Sequence, residues 1–358
     1  MRKHYIDNIR WITIVFVVIY HVVYIFNGVQ PYGVVGAFRE NQWQDAVQYI
    51  LYPWFMVLLF TVSGMSSRYY LEKHTDREFL KSRTDKLLIP STVGLLTFQW
   101  IQGYYNMQIS HAFDDIPDTV PKPIMFLIMC LSGTGVLWFI QLLWVYCLIL
   151  YFIRKAEKDK LYNKCGNIPV IAVISMVIPL WLSAQILNTP VITVYRCGIY
   201  GFAFFMGYFI FSHDEIIEKL IKFRYIFGIC TLILAVAEVI VYFGENYTEK
   251  PVLNSPLSIA YAWTAILFIL TFGKKSLDFR NKFTDFMSSQ SWGIYIFHYL
   301  FLSMPAYYMI NTNIQPFLQY IICTVCAFAG SIITYNIISR IPVLRFLILG
   351  RRKKNVQR

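Results

Sequence analysis

Ten apolar stretches of membrane-spanning length recur along this chain, at residues 9 to 29, 46 to 66, 88 to 109, 136 to 153, 168 to 187, 190 to 211, 225 to 243, 256 to 273, 289 to 310 and 316 to 339. About 20 residues of α-helix cross the hydrocarbon core of a bilayer, and a helix satisfies all its backbone polar groups internally there. The pattern predicts an all-α polytopic membrane bundle of about ten transmembrane helices. Composition agrees: 57% of the residues are hydrophobic and 15% charged, far from the balance of a soluble domain. Aromatics reach 18%, which suits helices that meet lipid and headgroups.

Charge orients the runs. With the first residues inside, the alternate loops on that side carry 28 of the 32 Lys and Arg residues. The opposite loops hold only Arg39, Lys122 and Lys250, and Arg196 falls within the sixth run. Cytoplasmic loops accumulate Lys and Arg, so both termini are expected in the cytoplasm. One misplaced run would invert every later loop and erase the asymmetry. The net charge of +12 is therefore a topology signal, and no nucleic-acid partner is expected. Arg2 and Lys3 precede the run from Trp11 to Phe26 in the outline of a signal peptide, but no small-residue cleavage site follows, so this run is read as a retained first helix.

Two segments exceed a minimal hairpin. One is the outer stretch 110 to 135, whose apolar part Ile124 to Leu131 is expected to be re-entrant or interfacial; the other is the charged inner loop 67 to 87. The tail Arg351-Arg352-Lys353-Lys354 is read as an anchor to anionic headgroups. Of seven cysteines, Cys147, Cys197, Cys230, Cys323 and Cys326 lie in apolar runs and behave as small hydrophobes. His111, Asp114, Asp115 and Asp118 match no metal-ligand spacing and read as a solvated acidic loop, so no metal is expected.

Ionisable groups within spanning segments are costly, about 2.5 to 3.5 kcal/mol on insertion scales, and each raises a functional question. His21, Arg196, Glu238 and His298 are such groups. Arg10 joins them by geometry: eleven residues before His21, it lies about 20° round the same helix and about 16 Å along it. The plain alternative makes Arg10 an inner anchor paired with Asp7 and His21 a core histidine bonded to another helix. Ser291, Tyr295 and His298 are spaced four and three apart and share one face, so they line a wet cavity or make interhelical hydrogen bonds. Arg196 and Glu238 read most economically as a buried ion pair between the sixth and seventh helices, or else Arg196 meets an anionic group of a substrate.

The first helix, DNIRWITIVFVVIYH, resembles the opening of the acyltransferase-3 family, with Arg10 and His21 separated by ten residues. WFMVLLFTVSGMSS at 54 to 67 resembles its aromatic second helix ending in Ser-Gly, here Ser63-Gly64. FLKSRTDKLLIP at 79 to 90 resembles its cytoplasmic basic pair, here Arg83 and Lys86. GVLWFIQ at 135 to 141 resembles the Trp-Phe stretch that opens its fourth helix, and SWGIYIFH at 291 to 298 resembles its penultimate-helix pattern ending in His, in the family's order. Lys86 stands where the family has Arg, and Val136 where it has His.

The resemblance implies a single transmembrane acyltransferase domain over 1 to 358 with no appended soluble domain, in a bacterial cytoplasmic membrane. It implies transfer of an acyl group, acetyl or succinyl, from cytoplasmic acyl-CoA to a hydroxyl of an extracytoplasmic carbohydrate or cell-surface glycan; the layout is most similar to the branch that succinylates periplasmic glucans. Acyl-CoA enters as donor substrate, and no permanently bound cofactor is implied. Arg10, Arg83, Lys86 and Arg196 are the candidate donor-binding residues. His21 is the candidate general base, with an acyl-imidazole relay as the competing mechanism, and Ser63, Tyr295 and His298 are candidate oxyanion donors. Membrane lipid is the surrounding partner, and a homo-oligomer stays open. The rival from another class is a transporter or flippase whose polar stripes line a path and do no covalent chemistry.

Overall fold

The computed structural model describes residues 3–29, 41–189, 195–310 and 312–352. Arg39, Pro190 and the Lys353-Lys354 end of the basic tail lie outside the described residues. In chain order the helices are α1 (His4–Ile25), α2 (Ala46–Leu71), α3 (Asp76–Arg83), α4 (Ile89–Thr97), α5 (Gln99–Ile109), α6 (Lys122–Ser132), α7 (Leu137–Glu157), α8 (Lys160–Cys165), α9 (Val170–Ser175), α10 (Val177–Ala184), α11 (Cys197–Met206), α12 (Asp214–Ile221), α13 (Arg224–Tyr242), α14 (Pro256–Ser276), α15 (Lys282–Met309), α16 (Pro316–Arg340) and α17 (Pro342–Leu349). No strand occurs among the described residues, and the protein is an all-α polytopic bundle.

Six segments are long and apolar enough to cross a membrane: α1, α2 with the short turn before it, α7, α13, α14 and α16. The other four apolar runs are helical too. The run at 88 to 109 becomes α4 and α5, interrupted at Phe98, whose φ of −131° leaves the helical region. The run at 168 to 187 becomes α9 and α10, interrupted at Met176. Pro179, three residues on, has no N–H to give the Ser175 carbonyl, and its ring crowds that carbonyl, so the helix restarts. The sixth run becomes α11, extended by a π-helical turn over Gly207–Phe211. The ninth becomes α15, a 28-residue helix that begins earlier than the apolar run itself. The outer apolar stretch forms α6.

The chain divides into two compact units. The first comprises Met1–Val17, Ala46–Leu80 and Val145–Ser288. In it α2 is the central element, buried over most of its length, and the Ser-Gly motif explains its closest packing. A Cβ on Gly64 would stand 1.9 Å from the Phe204 carbonyl oxygen, and one on Gly207 would stand 1.9 Å from that of Thr61. The two glycines thus let the backbones of α2 and α11 touch, as small residues do between helices in lipid, where dispersion replaces the hydrophobic drive. At one end of the unit Arg68 and Arg154 both bond Asp159, and Arg154 also bonds Asp76.

The second unit comprises Val18–Asp45, Lys81–Trp144 and Ser289–Arg358. It holds the later part of α1, α4 to α6, the body of α15, α16 and α17. Asp45 anchors the end of the loop that follows α1 by accepting from the backbone N–H groups of Gly28 and Gln42. Tyr295 on α15 donates its hydroxyl proton to the Val136 carbonyl just before α7.

Candidate active site

In the second unit α1 and α15 bring two histidines together that are 277 residues apart in sequence: His298 Nε2 lies 3.2 Å from His21 Nδ1. His298 is fully buried, and its Nδ1 lies 2.8 Å from the Ile294 carbonyl and 2.9 Å from the Tyr295 carbonyl. A carbonyl oxygen only accepts, so Nδ1 of His298 carries the proton and its Nε2 carries the lone pair. That lone pair requires the donor in the pair to be His21 Nδ1–H. The remaining His21 nitrogen, Nε2, therefore bears the lone pair of the neutral ring and can take a proton. The sequence of bonds from two fixed carbonyls through His298 to His21 selects both tautomers, as an orienting partner does for a catalytic base.

Aromatic rings complete the setting. Tyr299 stands 4.9 Å from the His21 ring between centroids, Tyr20 5.0 Å and Tyr24 6.3 Å. His21 itself is half-buried, and Tyr299 is buried. Within the Ser291, Tyr295 and His298 stripe, Tyr295 and His298 are bonded to backbone carbonyls, and His298, its last member, meets His21. Tyr295 spends its proton on Val136, so it ties α15 to the start of α7 rather than offering an O–H to a developing oxyanion. His298 likewise spends its proton on backbone carbonyls, and its Nε2 faces His21.

Arg10 lies on the same helix as His21, nearer its start. Its guanidinium is fixed by two groups of the first unit, bonding Ser66 Oγ at 2.7 Å and Asp7 at 3.3 Å. Ser66 belongs to the second-helix motif, and its hydroxyl bonds the Val62 carbonyl in turn. Ser63, also in the first unit, is half-buried, and its carbonyl accepts from the Ser67 hydroxyl.

Arg83 and Lys86 belong to the second unit, where α3 runs into a π-helical turn over Thr84–Leu88. The wider turn is held by Trp144, whose indole N–H donates to Thr84 Oγ1 at 3.1 Å. Turns of this kind are uncommon and concentrate at functional sites. Lys86 is exposed, yet desolvation and the neighbouring Arg83 and Arg351 cations hold its ammonium below the usual lysine range.

Arg196 and Glu238 correct one expectation. Arg196 precedes α11 rather than lying within a spanning helix, and it makes no ion pair with Glu238 among the described residues. The guanidinium donates to the Leu253 carbonyl at 2.9 Å and to Asn254 Oδ1 at 3.3 Å, whereas Glu238 accepts from the Ser258 hydroxyl at 2.6 Å. A loop carbonyl and an amide partner Arg196, and a hydroxyl partners Glu238, while among the described residues Arg196 Nε and Glu238 Oε2 stay buried without a hydrogen bond; both side chains line one small cavity with Tyr52, Tyr247 and Ser258. Reasoning from sequence did not find Ser66, Tyr299 or Arg351; for Ser66 and Tyr299 the available signals were a hydroxyl in an apolar helix and an aromatic next to a buried histidine.

These features define a helical membrane protein with an oriented imidazole pair, of which His298 is the buried member. The acyltransferase-3 family model, described as an acyltransferase domain, matches residues 3–336, and the chain belongs to that family. It is a membrane acyltransferase. Searches of curated proteins and of solved structures find no match.

Proposed function

We propose that the protein transfers an acyl group, acetyl or succinyl, from cytoplasmic acyl-CoA to a hydroxyl of an extracytoplasmic carbohydrate or cell-surface glycan, with His21 as general base. The observation that carries the reading is the 3.2 Å contact between His21 and a His298 whose tautomer is set by two backbone carbonyls. In the reaction His21 Nε2 takes the proton of the acceptor hydroxyl as its oxygen attacks the thioester carbon. The tetrahedral intermediate then collapses, the carbon–sulfur bond breaks, and the imidazolium returns the proton to the leaving CoA thiolate. His298 accepts from His21 Nδ1–H throughout, which keeps the ring aimed and stabilises the transient imidazolium.

Arg83 and Lys86, in the segment expected at the cytoplasmic surface, supply charge-assisted contacts to the CoA phosphates. Arg10 shares α1 with His21, so an extended donor lying along that helix passes the guanidinium before its thioester reaches the imidazole. The two nearly parallel demands of an inner donor and an outer acceptor are met by placing the base well along a membrane helix.

His298→Ala tests the reading, because it removes the acceptor of His21 Nδ1–H while leaving His21 in place. The turnover number is expected to fall on the order of tenfold to hundredfold, the usual cost of losing a group that orients a functional histidine. KM for acyl-CoA should stay near the wild-type value, and the pH profile of turnover should move. A variant with wild-type turnover and an unchanged pH profile contradicts the oriented-base reading.

A further inference from the structure

Residues 337–352, beyond the end of the family match, fold back onto the basic turn at 84–88. Helix α17 begins with Pro342 at its first position and ends at Gly350, which adopts the left-handed conformation with φ of 64°. Gly350 N–H bonds the Phe346 carbonyl, the single bond that closes a helix through a left-handed glycine, and Arg351 N–H bonds the Arg345 carbonyl. Gly350 is required here twice over. A Cβ there would also lie 2.4 Å from the Asp85 carbonyl oxygen and 2.5 Å from Lys86 Cα. Backbone therefore rests on backbone at the π-helical turn, and the next two residues emerge beside Arg83 and Lys86.

Those two residues divide their work. Arg352 grips Asp85 with two nitrogens at 3.0 Å each, neutralising the carboxylate within the turn. Arg351 bonds the hydroxyl of Tyr335, a buried residue of α16, which fixes where its guanidinium stands. Among the described residues neither Arg351 nor Lys86 forms an ion pair with a carboxylate; burial is the first cause that holds the Lys86 ammonium below its ordinary range, and the neighbouring Arg83 and Arg351 cations add to it. The fold thus gathers cations, and occupies the nearby anion with a fourth cation, at a place where they repel. Such an arrangement is relieved by a polyanion.

We propose that Arg351 is the third cation of a phosphate-binding site with Arg83 and Lys86, supplied by the C-terminal turn that Gly350 and Arg352 dock onto residues 85 and 86. The ligand class is a phosphorylated acyl donor bearing a nucleotide, so the inference rests on the proposed donor reading and adds a residue to it. Arg351 contributes the planar, two-pronged phosphate contact that Lys86 lacks. Its role differs from that of a headgroup anchor because its guanidinium is held by Tyr335 beside the motif.

The test uses the full chain in nanodiscs of neutral phosphatidylcholine, with coenzyme A, adenosine 3′,5′-bisphosphate and phosphate-free pantetheine as probes. Arg351→Gln is expected to weaken coenzyme A and the bisphosphate about tenfold, as for loss of one charge-assisted contact, with pantetheine unaffected. Arg351→Lys should recover part of the loss, and raising salt should narrow the gap between variant and wild type. If Arg351→Gln stays within about twofold of wild type while Arg83→Gln loses coenzyme A, the Arg351 assignment is overturned and the donor reading stands. A wild-type protein that binds no coenzyme A overturns both. An effect of Arg351→Gln confined to nanodiscs containing phosphatidylglycerol would make the residue a lipid headgroup anchor and also overturn the assignment.

Discussion

His21→Gln is expected to lower acyl transfer by on the order of 10²-fold or more while leaving expression and acyl-CoA affinity close to wild type, because positioned proton transfer contributes that much to rate. The amide can still donate toward His298 Nε2, so the contact at the heart of the second unit survives in kind. It has no basic nitrogen, so the acceptor hydroxyl keeps its proton. His21→Ala removes both, and should show the same catalytic loss with an added loss of stability from the unfilled volume and the stranded His298 Nε2. A purely structural histidine predicts the opposite order: Gln near wild type in transfer and Ala impaired through folding alone. Turnover and thermal unfolding of the two purified variants separate these outcomes, and a Gln variant with normal turnover would sink the base assignment.

The second large effect is on the fold itself. Gly64→Ala is expected to cost about 3 kcal/mol or more, the upper range for overpacking, because its Cβ would meet the Phe204 carbonyl at 1.9 Å and the Tyr208 nitrogen at 2.9 Å. Both neighbours are backbone of the α11 segment and its π-helical extension, so relief requires the two helices to part. Gly207→Ala should behave alike, since it strikes the Thr61 carbonyl at the same distance from the other side. Gly228→Ala is the comparison: its nearest neighbour is the Phe268 ring at 3.0 Å, a side chain that can turn. Thermal unfolding in detergent should show a deep drop for the first two and a small one for the third, and a wild-type midpoint for Gly64→Ala would show that the helices do not touch there.

Much of the architecture was legible in the chain because lipid imposes simple demands. A run of twenty apolar residues has few alternatives to a helix, and among the described residues each of the ten runs forms helix. Breaks inside runs were harder. Pro179 signals its own interruption of the fifth run, since it withholds an N–H, whereas nothing in the residues around Phe98 marks the turn between α4 and α5. The Arg10 and His21 spacing placed both on α1, and the Ser291, Tyr295, His298 spacing placed those three on α15.

What spacing along one helix cannot reveal is which helix lies opposite. The His21 and His298 contact joins segments 277 residues apart, and the proton of Tyr295 goes to a carbonyl 159 residues away. For the same reason the economical Arg196 and Glu238 pair did not form: a carbonyl at Leu253 and a hydroxyl at Ser258 were available, and backbone partners leave no trace in residue types. The C-terminal turn was a different case. Pro342 opening an eight-residue helix and Gly350 closing it follow the asymmetry of helix ends, so the turn that delivers Arg351 was readable even though its docking on Lys86 was not.

The central claim is that acyl groups leave a cytoplasmic thioester and arrive on an outer hydroxyl through this chain. Its most direct measurement is simultaneous: purified protein in liposomes, acetyl-CoA or succinyl-CoA on the side of the Arg83 segment, a glycan acceptor on the other, with free CoA thiol and glycan mass followed together. The account predicts one CoA thiol released for each acyl mass gained by the glycan, with both signals lost in His21→Gln. Glycan that crosses the membrane unmodified while the thioester stays intact would contradict it and make the protein a transporter.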